Sequence, residues 1–164
     1  MIQRIQSVFL LLLALAMMSV AVLPLWAKTD PTSHTDLVLT AFHLFRGPSS
    51  NAGTTVASTW PIGALALATA ATAFYAIFQY RRRSVQLMLG SLILLLIVGT
   101  LGAAFLYSNR ADQSLNVKME GHFLTGFYLP TLALVLNLLA SRYIRRDEQL
   151  VRSMDRLRSG PSFP

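Results

Sequence analysis

Four long runs of this chain contain no Asp, Glu, Lys or Arg: Ile5–Ala27 (23 residues), Thr59–Tyr80 (22), Ser84–Asn109 (26) and Gly121–Ser141 (21). A bilayer core about 30 Å thick takes roughly 20 helical residues at about 1.5 Å each. Backbone groups in hydrocarbon must bond within their own segment, and these runs are too long for barrel strands. They predict an all-α membrane protein, an up-and-down bundle of four transmembrane helices. Composition points the same way: 13% of the 164 residues are charged and 54% hydrophobic, whereas soluble domains carry about 25% charged residues. A soluble globular enzyme and a disordered chain are excluded. The absence of cysteine removes thiol catalysis, disulfides and thiolate metal sites.

The first run begins after Arg4, as a signal peptide would, but it exceeds the usual 7–15 apolar residues of a signal sequence. Leu25-Trp26-Ala27 also lacks the small residue that cleavage needs three positions before the cut. We read an uncleaved helix. With the N-terminus inside, ten basic residues fall inside: Arg4, Arg81, Arg82, Arg83, Arg142, Arg145, Arg146, Arg152, Arg156 and Arg158. Four, Lys28, Arg46, Arg110 and Lys118, fall outside, balanced there by four acids. The whole net charge of +7 then lies on one side, which predicts cytoplasmic N- and C-termini. Trp26, Trp60, Tyr107 and Phe123 would mark the outer interface, and Tyr80 and Tyr143 the inner one.

Residues 1–143 are thus expected to form the transmembrane domain, with outer loops at 28–58 and 110–120, and residues 144–164 a basic cytosolic tail. Within the long loop, Asp36–Arg46 and Thr54–Ser58 are rich in β-branched and aromatic residues around the turn-forming Gly47–Gly53. They predict a small outer β-hairpin, with an interfacial helix over Leu37–Phe45 as the rival. A strand at Leu115–Met119 would add to it. Ala64, Ala68, Thr72 and Ala76 recur every four residues, and Gly99 and Ala103 repeat the spacing. Small residues on one face let helices approach closely, so these are expected to serve packing within the bundle rather than a dimer groove. Pro24 and Pro130 are candidate kinks.

Chemistry is sparse. His34, His43 and His122 share the outer side but lack ligand spacing, so no metal site is expected. No histidine sits mid-span for haem ligation. The spans contain no acidic or basic side chain apart from His122 at a boundary, and polar groups such as Thr69, Thr72, Gln79, Ser91, Thr100, Thr125, Thr131 and Asn137 are uncharged, which disfavours a pump or a proton-coupled transporter. Gly-x-Ser-x-Gly, His-Glu-x-x-His, phosphate-loop and dinucleotide motifs are absent. The expectation is a protein without enzymatic activity or cofactor and with no identifiable small-molecule substrate.

The tail is the most patterned segment. Ile144, Leu150, Val151, Met154 and Leu157 recur at helical spacing, Glu148 precedes Arg152 by four, and Gly160-Pro161 close the run. Arg145, Arg146, Asp147, Glu148, Leu150, Val151, Arg152, Asp155, Arg156 and Arg158 therefore form a basic amphipathic surface, which Arg81, Arg82 and Arg83 extend. Such a helix rests on anionic headgroups or docks a partner protein; contact with nucleic acid is the least favoured use.

The opening Met1-Ile2-Gln3-Arg4-Ile5-Gln6 and the closing Ile144-Arg145-Arg146-Asp147-Glu148, Leu150-Val151-Arg152-Ser153 and Asp155-Arg156-Leu157-Arg158 carry a resemblance. The chain resembles a family of small four-span inner-membrane proteins of the Bacteroidota, known as a domain of unknown function. The resemblance implies a bacterial inner membrane, no activity and no catalytic residues, and it shifts weight toward partner binding by the tail. The leading expectation is an accessory or scaffold subunit of a larger membrane assembly. The alternative is a passive transporter or channel for a small or lipid-like solute.

Overall fold

The computed structural model describes residues 2–30, 35–48, 54–79, 82–114 and 121–158. Helix α1 (Ile2–Val20) stops well before the end of the first apolar run. Pro24 has no N–H for a helix and pushes Leu23 toward extended backbone, so the chain leaves the helix through turn bonds from Ala21, Val22 and Leu23 to Met18 and Ser19. Leu25 and Trp26 are apolar but enter a sheet. Strands β1 (Trp26–Asp30), β2 (Thr35–Leu39), β3 (His43–Gly47) and β4 (Thr54–Ser58) follow. Next come α2 (Trp60–Phe78), α3 (Arg83–Ser114), the short β5 (His122–Phe123) and α4 (Thr125–Arg158).

The all-α expectation is therefore corrected. The protein is α+β, with a five-stranded antiparallel sheet in the order β4-β3-β2-β1-β5. The expected hairpin is part of a larger sheet, and the rival interfacial helix is absent, because Asp36–Arg46 splits into β2 and β3 around a turn at residues 40–42. Residues 110–114, read as loop, continue α3. The expected strand at 115–119 and the turn residues 49–53 lie outside the described residues. The expectation of four membrane spans is corrected as well: among the described residues three helical stretches, Trp60–Phe78, Ser84–Gln113 and Thr125–Arg146, are long and apolar enough to cross a membrane. The first helix offers only the shorter apolar stretch Gln6–Val20.

The helices pack in a ring, each touching the next in sequence and α1 touching α4. The buried interior is Leu10, Leu13 and Met17 of α1, Ile62, Ala66 and Ala73 of α2, Ile93 and Ile97 of α3, and Ala133 and Ala140 of α4. The sheet closes one end. Strand parity turns Leu37 and Leu39, and likewise Trp26 and Lys28, toward the bundle. Three sets of bonds seat the sheet on the helix ends. Thr59 donates from its hydroxyl to Thr40 O (2.9 Å) and from its backbone to Phe42 O (2.8 Å). Leu124 and Gly126 donate backbone bonds to Leu25 O and Pro24 O (2.9 and 3.2 Å). Phe123 of β5 stacks on Phe127 of α4 at 4.1 Å. Phe9 stacks on Tyr143 at 5.7 Å, which puts the start of α1 and the far half of α4 together at the end away from the sheet, called here the open end.

Gly126 permits the approach of the 23–24 turn. A Cβ there would stand 2.5 Å from Pro24 O and 3.0 Å from Leu23 O, both backbone atoms with little freedom to yield. Gly126→Ala is expected to cost roughly 1–3 kcal/mol, as overpacking generally does. The readout is the unfolding midpoint in detergent; an unchanged midpoint would mean that the turn shifts freely.

Candidate functional site

Helix α4 carries the most distinctive surface. It runs unbroken for 34 residues from Thr125 to Arg158, about 51 Å at roughly 1.5 Å per residue. Pro130 lies within its first two turns without ending it. The tail helix expected from Ile144 onward continues the last bundle helix without a break as far as Arg158. A cation-free stretch ends at Ser141, and Arg142, Arg145 and Arg146 follow, all exposed.

Those arginines line a groove of about 550 Å³ together with Leu138, Ser141 and Gln149. Its position on the α3 flank follows from Ser141, whose Oγ would lie 3.1 Å from a Cβ placed on Gly90. One turn deeper, Asn137 is 2% exposed and donates from Nδ2 to Gly90 O at 3.0 Å, while its Oδ1 is buried without a hydrogen-bond partner. The seam therefore relies on a close backbone approach plus one interhelical bond. Gly90→Val places methyl groups against Ser141 and Asn137 and should lower stability by roughly 1–3 kcal/mol; equal unfolding midpoints for variant and parent would contradict the tight seam.

Of the other expected contact residues, Arg81 lies outside the described residues, Arg82 is exposed in the α2–α3 link, and Arg83 opens α3. Asp147, Glu148, Leu150, Val151, Arg152, Asp155, Arg156 and Arg158 lie on the last turns of α4. The expected packing stripe needs correction. Ala64 and Ala68 are exposed and Thr72 half-buried; of the four only Ala76 is buried. The packed face of α2 is Ile62, Gly63, Ala66, Thr69, Ala70, Ala73 and Ala76, because 3.6-residue periodicity rotates a strict four-residue repeat away from the core. Gly99 does sit on the α2–α3 seam, with Leu65 at 3.7 Å from its notional Cβ, and Ala103 is partly buried against the core.

At the sheet end, sequence reasoning missed one residue. Lys28, read as an outer-loop charge, is 2% exposed. Its ammonium donates to Asp112 Oδ1 at 2.9 Å and to the Asp112 carbonyl at 3.3 Å, in the last turn of α3, where the helix dipole favours a cation. This joins β1 to α3. The signal was the two-residue spacing from Trp26, visible only once the segment is known to be a strand. Asp112 also borders a pocket of about 210 Å³ with Trp26, Phe105, Ser108, Asn109 and Phe123. His43 and His122 are exposed, His34 lies outside the described residues, and among the described residues no three His, Asp or Glu side chains gather as metal ligands would.

These features define a class: a membrane-associated α+β protein whose helix ring is closed by a sheet at one end and prolonged by a basic helix at the other. Comparison with known families supplies the membership. The chain belongs to the family described as Domain of unknown function (DUF4293), which it matches over residues 2–157. No curated protein matches it.

Proposed function

We propose that this protein is a non-enzymatic accessory or scaffold subunit of a membrane assembly, docking its partner through the last turns of α4. The observation that carries the reading is the continuity of α4 from Thr125 to Arg158. From Arg142 onward the helix is about 25 Å long at roughly 1.5 Å per residue. The headgroup layer on each side of the hydrocarbon is only about 5–8 Å thick. A helix that continues one crossing the membrane cannot lie flat on the surface without a break. Its distal residues, Arg152 to Arg158, therefore stand off the bilayer, in reach of a protein rather than of lipid. The excess of Lys and Arg at the open end supports a cytoplasmic placement of that end in a bacterial inner membrane.

The solute-passage alternative finds less support. The core is filled with Leu, Ile, Met and Ala side chains. Thr69, Thr72, Ser91 and Thr100 each donate to the carbonyl four residues earlier, so these hydroxyls are already engaged with their own helices.

The test is affinity purification of the full-length protein from native membranes in mild detergent, compared with the chain ended after Gln149. A stoichiometric partner present with the full chain and lost on truncation is the expected result. A partner retained by both forms, or found with neither, would remove the docking mechanism.

A further inference from the structure

We infer that the groove on the α3 flank of α4 is a binding site for one anionic phospholipid, its headgroup phosphate held by Arg142, Arg145 and Arg146. The site is separate from the distal docking turns and does not depend on that reading.

Three observations converge on this occupant. The first is depth. The groove begins at Leu138, 53% exposed in the last apolar turn, and ends at Gln149. That is about 16 Å of helix at roughly 1.5 Å per residue, long enough to run from acyl chain through the headgroup layer. The second is chemistry. Its cationic lining is three guanidiniums: Arg145 and Arg146 follow Arg142 by three and four residues and flank it on either side, and all three border the same groove. A guanidinium fork fits phosphate oxygens with two parallel bonds, which an ammonium cannot do. Ser141, between Leu138 and the arginines, adds a neutral group suited to ester oxygens, and Gln149, beyond them, one suited to headgroup hydroxyls. The third is shape. The lining combines polar and apolar surface in one continuous groove of about 550 Å³, which suits an amphiphile better than a free anion. All six lining residues belong to α4, and basic clusters next to a membrane-crossing helix on the cytoplasmic side are a recurrent seat for anionic headgroups.

The occupant is therefore a diacyl phospholipid of net negative charge, with Leu138 against an acyl chain and the arginines around the phosphate. Ser141, which lines the groove, also meets Gly90 where α4 packs on α3, so the lipid would touch the edge of that seam. Bound lipid should thus raise the unfolding temperature of the full-length protein.

The test uses full-length protein in mild detergent, with phosphatidylglycerol and phosphatidylcholine as probes and bound lipid counted by native mass spectrometry. The parent protein is expected to bind phosphatidylglycerol at least about tenfold more tightly than phosphatidylcholine. R142Q/R145Q/R146Q should bring the two lipids to within about threefold, while R152Q/R156Q/R158Q, with the same charge removed, should leave the preference intact. The charge-conserving R142K/R145K/R146K should lose part of it, since lysine keeps the charge without the fork. If the proximal glutamine variant fails to fold, the lysine variant and single R145Q carry the comparison against the distal triple. Equal losses from proximal and distal triples would show diffuse electrostatics and overturn the site. So would equal binding of the two lipids by the parent, or competition by glycerol phosphate at the concentrations at which phosphatidylglycerol binds, which would make the groove a receptor for soluble phosphate.

Discussion

Asp112→Ala should destabilise the protein more than Lys28→Met, although both remove the same ion pair. The asymmetry comes from burial. Lys28 is 2% exposed and Asp112 43%. Removing the Asp112 carboxylate takes the anion 2.9 Å away from a buried ammonium, which keeps its bond to the backbone carbonyl of residue 112 and its remaining contacts; losing the charged partner of a buried cation is among the larger single-residue costs. Removing the ammonium instead leaves a carboxylate that is already half-solvated. Methionine fills much of the space the lysine stem occupied, so burial is kept. We expect roughly 2–3 kcal/mol for Asp112→Ala, reduced from a fully buried pair by solvent around the carboxylate. For Lys28→Met we expect about 1 kcal/mol or less. Unfolding midpoints of the two variants and the parent in one detergent decide the matter; the reverse order would show that the pair is not what seats β1 on α3.

Val151→Pro is the second change with a large expected effect. Proline inside a helix removes the bond from its own nitrogen to the carbonyl four residues earlier and clashes with that carbonyl, costing about 3 kcal/mol locally and kinking or ending the helix. Position 151 lies beyond the lipid groove and ahead of Arg152, Arg156 and Arg158. The charge of the docking turns is unchanged and Val151 is the one expected contact residue altered, but their rigid connection to the bundle is lost. Recovery of the co-purifying partner should fall at least about tenfold if ordering those turns must then be repaid on binding. The bundle's unfolding midpoint should stay within about 1 °C, since the break lies outside the packed core. Full recovery of the partner by Val151→Pro would mean that charge, and not the continuous helix, makes the contact.

What could be read in the sequence divides by the range of the interactions involved. The stretches forming α2, α3 and the first half of α4 were legible because hydrophobicity is a property of each stretch taken alone. The end of α1 was not. Leu23, Leu25 and Trp26 are as apolar as the helix before them, and the same composition serves a strand once a partner is available; the partners are Leu39 and Phe123, far along the chain. Thr54–Ser58 was readable as a strand from its β-branched residues, and β4 is found there. The split of Asp36–Arg46 into two strands was not, because the turn between them is held by Thr40 bonding His43 and by Thr59 bonding Thr40 from the far end of β4. The stripe Ala64, Ala68, Thr72 and Ala76 failed for a similar reason: small residues show which faces could pack, and the positions of α1 and α3 choose which face does.

The sequence alone determined which stretches are apolar, that the net charge of +7 gathers in one set of linking and terminal segments, and that residues 144–158 carry the pattern of a basic helix. Each depends on neighbours within a few turns. The tertiary structure decided that residues 26–30 at the end of the first apolar run belong to a five-stranded sheet, that Lys28 is buried on the end of α3, and that the basic helix is one rod with α4, placing Arg142, Arg145 and Arg146 in a groove shared with Ser141, which meets Gly90 of α3. Strand pairing, ion-pair burial and the groove all depend on atoms brought together from distant parts of the chain, and the identity of those partners is set by packing rather than by local composition.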